Sequence, residues 1–122
     1  MATVRYMVFD VEAAVAFYTT LLHFELVEQY APAMAIVRRD ELTLWLAGPP
    51  SSAARPMPDG RQPESGGWNR FVIEVDDLAT TVERLQAAGV PFRNEIVTGP
   101  GGKQVLIEDP SGNAIELFQP VR

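Results

Sequence analysis

The chain has 122 residues, with 16 acidic and 10 basic side chains and a net charge of −6 at neutral pH. Nucleic-acid phosphates and anionic membranes repel such a chain, so we expect no nucleic acid and no membrane as a partner. The sequence contains no cysteine, which excludes disulfides and thiolate chemistry, and no apolar run has the length of a membrane span. The N-terminal residues lack a signal-peptide pattern, and a cytoplasmic location is therefore expected.

Hydrophobic periodicity in residues 1–47 predicts a strand, a helix and three more strands. Apolar residues alternate over residues 4–9, which is typical of a strand. Asp10 is suited to cap a helix over about residues 11–22, and His23 occupies the position where glycine usually ends a helix. The remaining strands are predicted over residues 24–28, 33–38 and 42–47.

Residues 48–67 have a different composition, with five prolines and no hydrophobic period. Loops of this length are uncommon in compact domains and are often functional. We interpret the segment as a linker or flap between two modules.

The same order of elements is predicted again after this loop. A strand over residues 69–75 precedes a helix over residues 78–88, which Asp77 caps and Gly89 ends. Further strands are predicted over residues 90–97, 103–108 and 114–119. Asp77 lies 67 residues after Asp10 (77 minus 10), and this spacing indicates an internal duplication.

The duplication predicts one α+β domain over residues 1–122, built from two βαβββ modules in tandem. Module one covers residues 1–47, the linker or flap covers 48–67, and module two covers 68–122. Each module alone leaves one sheet face uncovered, so we expect a curved, barrel-like mixed sheet around a shared cleft with the helices outside.

Strand alternation predicts which side chains line that cleft. They combine aromatic and apolar surface with a few charged groups, which is typical of a small-molecule site. The residues are Arg5, Met7, Phe9, Thr43 and Trp45 from module one, and Arg70, Val72, Glu74, Glu116 and Phe118 from module two.

The segment Asp-Pro-Ser-Gly-Asn at 109–113 predicts a tight turn before the last strand. That strand places Glu116 among apolar neighbours, where a carboxylate is costly unless a cation, a metal or a hydrogen-bond donor meets it. A half-buried strand with Glu116 facing water is the alternative interpretation.

Three motifs resemble the vicinal oxygen chelate superfamily, which includes glyoxalases, extradiol dioxygenases, and bleomycin- and fosfomycin-resistance proteins. The first motif is DVEAAVAFY at 10–18. The second is VDDL at 75–78 with AAGV at 87–90, and the third is DPSGN at 109–113 with IELF at 115–118. Their order and duplication cover the whole chain apart from the long loop.

The resemblance implies a divalent metal bound by histidines on the first and fifth strands and a glutamate on the eighth. Glu116 matches the glutamate position and is the only family ligand position that is retained, whereas Arg70 falls at the fifth-strand position. The first-strand position is Thr3 or Arg5, depending on a register that the sequence leaves open. Arginine cannot coordinate a cation. We therefore expect an Arg70–Glu116 ion pair and no cofactor, with weak divalent binding by Glu116 and Glu74 as the alternative.

Three functions are consistent with these features. The first is a metal-free small-molecule binder similar to bleomycin-resistance proteins, sequestering an aromatic drug or metabolite. The second is a metal-dependent lyase or isomerase of the glyoxalase type, or a dioxygenase, with Glu116 as ligand and Glu74 as base. The third is a dimeric scaffold with no ligand, and a homodimer is expected in any of the three from the resemblance. Whether the protein is an enzyme stays open at this stage.

Overall fold

A computed structural model describes residues 2–121, and in that range the order strand, helix and three strands occurs twice. This confirms an α+β fold of two tandem βαβββ modules. The first module consists of β1 (Thr3–Met7), α1 (Val11–Leu21), β2 (Glu25–Tyr30), β3 (Met34–Arg39) and β4 (Leu42–Ala47). The second consists of β5 (Phe71–Glu74), α2 (Leu78–Ala87), β6 (Val97–Gly99), β7 (Gly102–Glu108) and β8 (Ala114–Pro120).

The chain divides into two compact units, which are described separately. The first unit ends at Gly66 and also includes Pro110–Asn113, whereas the second covers Gly67–Asp109 and resumes at Ala114. The loop that follows β4 therefore belongs to the first unit as far as Gly66. No helix in the described range is long and apolar enough to cross a bilayer.

The sheet of the first unit has the order β1-β4-β3-β2, with β1 parallel to β4 and the other pairs antiparallel. One face carries Leu44, Leu46 and Val37, which are buried together with Phe17 and Tyr18 of α1. Because strand side chains alternate, the opposite face carries polar and aromatic residues. Arg5 lies directly opposite Trp45 on this second face, and Thr3 lies opposite Thr43.

The ends of α1 follow from the residues that flank it. The Asp10 carboxylate accepts hydrogen bonds from the backbone N–H groups of Glu12 and Ala13, as expected of an N-cap. The helix ends at Leu21, and His23 adopts a left-handed φ of 60°. The prediction that His23 occupies a glycine-type position is confirmed.

The sheet of the second unit has the order β5-β8-β7-β6, with β5 parallel to β8. Its core side chains alternate with those of the opposite face along each strand. The core contains Phe71, Ile73, Val105, Ile107, Ile115 and Leu117, together with Leu78 and Leu85 of α2. The opposite face contains Val72, Glu74, Glu116 and Phe118, with Val72 facing Glu116 and Glu74 facing Phe118 across the strand pair.

The predicted strand over residues 90–97 is wrong for most of its length. Only an isolated bridge joins Phe92 to Ile107, and the regular strand begins at Val97. Pro91 has no N–H for a ladder bond, and the Asn94 side chain accepts the backbone N–H of Leu106 in place of a backbone carbonyl. Despite its apolar pattern, the chain before Val97 is therefore irregular and lies beside β7.

Residues 48–66 contain local structure that their composition did not predict. A short 3₁₀ turn spans Ser52–Ala54, and the Gln62 amide donates to the Ala54 carbonyl. Asn113 fixes the end of the loop, because its Oδ1 accepts the backbone N–H of Gly66 at 2.9 Å.

Candidate functional site

The structure distributes the predicted site residues over the two units. Arg5, Met7, Phe9, Thr43 and Trp45 belong to the first unit, whereas Arg70, Val72, Glu74, Glu116 and Phe118 belong to the second.

Glu116 and Arg70 form the predicted ion pair within the second unit. Glu116 lies on β8 between Val72 of β5 and Leu106 of β7, and only 9% of its surface is exposed. Arg70 lies one residue before β5 and donates to the same carboxylate oxygen, Oε1, from Nε at 3.0 Å and from Nη2 at 2.8 Å. The other oxygen, Oε2, accepts no hydrogen bond from the residues that the structure describes. One acceptor of a well-shielded carboxylate is therefore left for another molecule.

A second ion pair lies beside β7 in the same unit. Arg93 Nε is 2.8 Å from Glu108 Oε2, and Arg93 Nη1 donates to the Gly67 carbonyl at 2.7 Å. The Arg93 guanidinium also lies over the Trp68 ring, 4.6 Å from its centroid. Arg70 Nη1 donates to the Trp68 carbonyl at 3.3 Å. Two arginines, each bound to a carboxylate, thus hold the short segment that carries Trp68.

We call Trp68, Arg70, Arg93, Glu108 and Glu116 the arginine–carboxylate cluster. Trp68 is 68% exposed although a guanidinium covers one face of its ring. A ring held in this way offers its remaining surface for stacking without first having to become ordered. The cluster therefore combines a flat aromatic surface with a carboxylate oxygen that can accept a hydrogen bond.

The remaining predicted residues of the second unit lie on the same sheet face as Glu116. Val72 is 50% exposed and faces Glu116 directly across the strand pair. Glu74 is exposed and faces Phe118, two residues along β5 from Val72. Glu74 and Glu116 therefore share a face without being register partners.

In the first unit, the structure brings Arg5 and Trp45 together. The Arg5 guanidinium lies 5.0 Å from the centroid of the Trp45 ring, which is a cation–π arrangement. Thr43 is buried, and its hydroxyl accepts a hydrogen bond from Arg38 Nε at 3.4 Å. Met7 and Phe9 contribute to a separate feature, a cavity of about 220 Å³ beside the loop that follows β4.

The comparisons with known proteins agree with this fold. The model of the Glyoxalase/Bleomycin resistance protein/Dioxygenase superfamily matches residues 1–117. The chain belongs to this superfamily. A lactoylglutathione lyase from Pseudomonas putida is 24% identical in an alignment that covers 91% of this chain and 79% of the relative.

Two solved structures of this superfamily's fold are similar to the chain over nearly its full length. A lactoylglutathione lyase from Agrobacterium tumefaciens has a TM-score of 0.74 at 24% identity, covering 98% of this chain and 92% of that one. TnmS3, an antibiotic binding protein from a Streptomyces species, has a TM-score of 0.69 at 26% identity, covering 99% of this chain and 97% of that one. The superfamily fold is thus found in both enzymes and binding proteins.

The residues present do not fit the metal site that the superfamily implies. Among residues 2–121, no group of three histidine, cysteine, aspartate or glutamate side chains is placed to hold a metal ion. Glu116 is bound by a guanidinium, which has no lone pair to offer a cation and carries a positive charge. His23 is exposed after the end of α1.

Sequence reasoning missed three charged residues near these sites. Arg93 lies in the irregular segment before β6, where side chains do not alternate, so the strand prediction did not indicate that its side chain reaches Glu108. Glu108 could have been found, because it shares a face with Glu116 once the β7–β8 register is known. Arg38 could have been found in the same way, since it faces Thr43 across β3 and β4.

Proposed function

We propose that this protein binds a small molecule without a resident metal ion, and that the Arg70 guanidinium takes the place of the cation at Glu116. The observation that carries the proposal is the pair of hydrogen bonds from Arg70 to Glu116 Oε1. A carboxylate that is only 9% exposed requires a cation or hydrogen-bond donors, and Arg70 supplies both.

Charge repulsion disfavours a site in which Glu116 binds Arg70 and a metal ion at the same time. A divalent ion about 4 Å from a guanidinium is repelled by roughly 8 kcal/mol at an effective dielectric of about 20, before screening by salt. The guanidinium thus cancels a large part of the attraction of a single carboxylate, which with water molecules alone is already a weak site. Metal binding at Glu116 therefore requires the Arg70 guanidinium to move away, which costs the two hydrogen bonds that it donates to Oε1.

The chemistry of the arginine–carboxylate cluster indicates the ligand class. The exposed Trp68 ring favours a planar aromatic group, and Glu116 Oε2 favours an N–H or ammonium donor. The net charge of −6 attracts a cationic ligand over a long range. The 26% identity to an antibiotic binding protein supports a drug or a similar metabolite as the ligand, and the aromatic character is inferred from Trp68.

A fluorescence titration tests this function. The chain has two tryptophans, so Trp45→Phe leaves Trp68 as the single tryptophan reporter, and Trp68→Phe leaves Trp45. With metal-free bleomycin and other aromatic antibiotics as probes, we expect saturable quenching in Trp45→Phe that a chelator does not change. Removing the ring in Trp68→Ala is expected to weaken binding about fivefold, from a stacking contribution of about 1 kcal/mol. Binding that disappears with a chelator would contradict the proposal.

A metal-dependent lyase is the second candidate, and the Pseudomonas putida relative favours it. In that case Glu116 is a metal ligand and Glu74 is the base. The assay is lactoylglutathione formation with Mn²⁺, Zn²⁺ or Ni²⁺, with Glu74→Gln and Glu116→Gln as controls. Turnover that both variants abolish would favour the lyase over the binder.

A homodimer is also proposed, and β2 supports it. This strand lies at the edge of its sheet, and all six of its residues are exposed, including Leu26, Val27 and Tyr30. An edge strand offers unpaired backbone groups to a second strand. Light scattering after size exclusion measures the mass, and a monomer at every concentration would contradict the proposal.

A further inference from the structure

A cavity within the first unit is separate from the arginine–carboxylate cluster in its residues and its chemistry. It lies between the end of β1 and the loop after β4, and its volume is about 220 Å³. Apolar walls come from Met7 and Phe9 on the strand side and from Pro49, Ala54 and Pro63 on the loop side. A cavity of about 150 Å³ holds benzene in a well-studied engineered protein, so this one has room for a single substituted ring.

The charged side chain among the lining residues is the Glu64 carboxylate, which is an acceptor. Glu64 and Ser65 line it, and their side chains make no hydrogen bond within the described residues. The Gly48 carbonyl already accepts from Ser51, and the Gln62 amide nitrogen already donates to Ala54. No basic side chain contributes to the lining. A ring with a cationic or N–H substituent therefore fits this site better than one with an anionic substituent.

Asn113 holds both walls of the cavity in place. Its Nδ2 donates to the Met7 carbonyl at 2.7 Å, and its Oδ1 accepts from the Gly66 N–H at 2.9 Å. Met7 is on the strand wall, and Gly66 directly follows the loop wall that ends at Ser65. Ser111 adds a third bond, because its Oγ accepts from the Phe9 N–H at 2.8 Å. Asn113 and Ser111 are 4% and 5% exposed, so water competes little for these bonds.

We propose that this cavity is a second ligand-binding site for a single apolar ring bearing an ammonium or amide group, and that Asn113 is the positioning residue that sets its width. At the rim, the Glu64 carboxylate accepts a hydrogen bond from the ammonium or amide group of the ligand. Met7, Phe9 and Pro63 contact the ligand's ring. The site does not depend on the function proposed above, since Glu64, Asn113 and all the lining residues belong to the first unit.

Nuclear magnetic resonance titrations with benzylamine, benzyl alcohol and benzoate test the ligand class. We expect benzylamine to shift the amides of Phe9, Ala54 and Ser65, and to bind at least about fivefold more tightly than benzoate. Glu64→Gln should remove that preference, whereas the matched surface change Glu83→Gln should leave it unchanged. Ala54→Leu fills the cavity and should abolish binding, with the neighbouring Ala53→Leu as its control.

Two variants of Asn113 test the positioning role. Asn113→Ala loses both hydrogen bonds, so the Gly66 amide should exchange at least about tenfold faster and benzylamine should bind about fivefold more weakly. Asn113→Asp keeps an acceptor for Gly66 N–H and should restore protection of that amide. Amides of the β4 core, such as that of Leu44, should keep their exchange rates in both variants, which separates positioning from general destabilisation.

Several outcomes would overturn the inference. Benzylamine shifts that persist in Ala54→Leu, or that appear only around Trp68, place the ligand elsewhere and reject the cavity. Equal affinity for benzylamine and benzoate rejects the rim chemistry. Unchanged benzylamine affinity in Asn113→Ala rejects the positioning role. If that variant does not fold, Asn113→Asp still tests the hydrogen bond to Gly66, and Ala54→Leu still tests whether benzylamine binds in the cavity.

Discussion

Glu116 shows how a carboxylate is accommodated on a strand whose first four residues are buried. Its neighbours along β8, Ile115 and Leu117, are at most 1% exposed, and its own side chain is 11% exposed. An unpaired carboxylate at such a position destabilises the fold. Arg70 offsets this cost with two hydrogen bonds to one oxygen.

Removing one partner of this pair is therefore expected to be costly. Arg70→Ala should lower the free energy of unfolding by about 1–3 kcal/mol, less than for a fully buried pair because the Arg70 side chain is 30% exposed. Urea denaturation measures the change. Arg61→Ala is a matched control, because Arg61 and Asp59 also lie 2.8 Å apart but are 83% and 55% exposed, and its effect should stay within about 0.5 kcal/mol.

The double variant Arg70→Ala/Glu116→Gln distinguishes charge from packing. Glutamine carries no charge, so the double variant should be more stable than Arg70→Ala alone. If the two were equally unstable, the cost would come from lost packing of the arginine side chain.

At the residue scale, alternation predicted that Arg70 and Glu116 face the same side, and the family resemblance placed both at metal-ligand positions, so their pairing could be expected. Regularity is also the limit of this reasoning. Arg93 reaches Glu108 and Trp68 from a segment held by the Asn94 side chain and interrupted by Pro91, where no period of two exists.

The two helices end in related but chemically different ways. His23 follows α1 with φ at 60°, and Gly89 follows α2 with φ at 82°. Left-handed backbone is unfavourable for a residue with a Cβ atom and nearly free for glycine. The duplicated modules therefore contain a natural pair of positions for measuring this effect.

His23→Gly should raise the free energy of unfolding by about 0.5–1 kcal/mol. Gly89→Ala should lower it by about 1 kcal/mol, and a Cβ there would meet no atom within 4 Å, so backbone strain alone is responsible. Urea denaturation of both variants measures the two effects. A loss of stability in His23→Gly would mean that the imidazole makes a favourable contribution of its own.

The N-terminus of α2 predicts a dependence on pH. The Thr80 backbone N–H and then the Thr80 hydroxyl donate to the Asp77 carboxylate, and these bonds lower the pKa of Asp77 below its ordinary value of 3.8. The Asp77 carboxylate is therefore protonated at a higher pH in the unfolded chain than in the folded protein. The stabilisation from Asp77 is complete above pH 3.8 and is lost as the pH falls through the folded-state pKa.

Asp77→Ala is therefore expected to be less stable than the parent protein near neutral pH. The difference should shrink in acid, once the carboxyl of the parent is protonated in both states. Thermal melts at about pH 7 and about pH 3 measure it. A difference that stays constant across this range would show that the ionised carboxylate is not what stabilises the helix.

At the element scale, helices and strands with clear starts and a steady period were predictable within a few residues. Strand β6 was not, since its apolar pattern began seven residues before the backbone pairs regularly at Val97. The loop after β4 was predicted as a linker, but a buried asparagine about fifty residues later fixes its end. Side-chain bonds over such distances leave no periodic signal in the sequence.

At the scale of the whole molecule, the duplicated module order is that of the superfamily. The individual side chains of this chain determine which ligands and reactions the fold can support. The superfamily fold is shared by lactoylglutathione lyases and an antibiotic binding protein, so the fold alone does not select between catalysis and binding. In the function that we propose, the choice depends on the group that meets Glu116. An arginine at that position favours binding, and a metal ion would favour catalysis.

Isothermal titration of Mn²⁺, Zn²⁺ and Ni²⁺ into chelator-treated protein tests this claim most directly. We predict no site tighter than the high micromolar range in the parent protein, and a stronger site in Arg70→His, where an imidazole replaces the guanidinium beside Glu116. Tight binding by the parent protein that Glu116→Ala abolishes would contradict the claim and would make the lyase assay the next experiment.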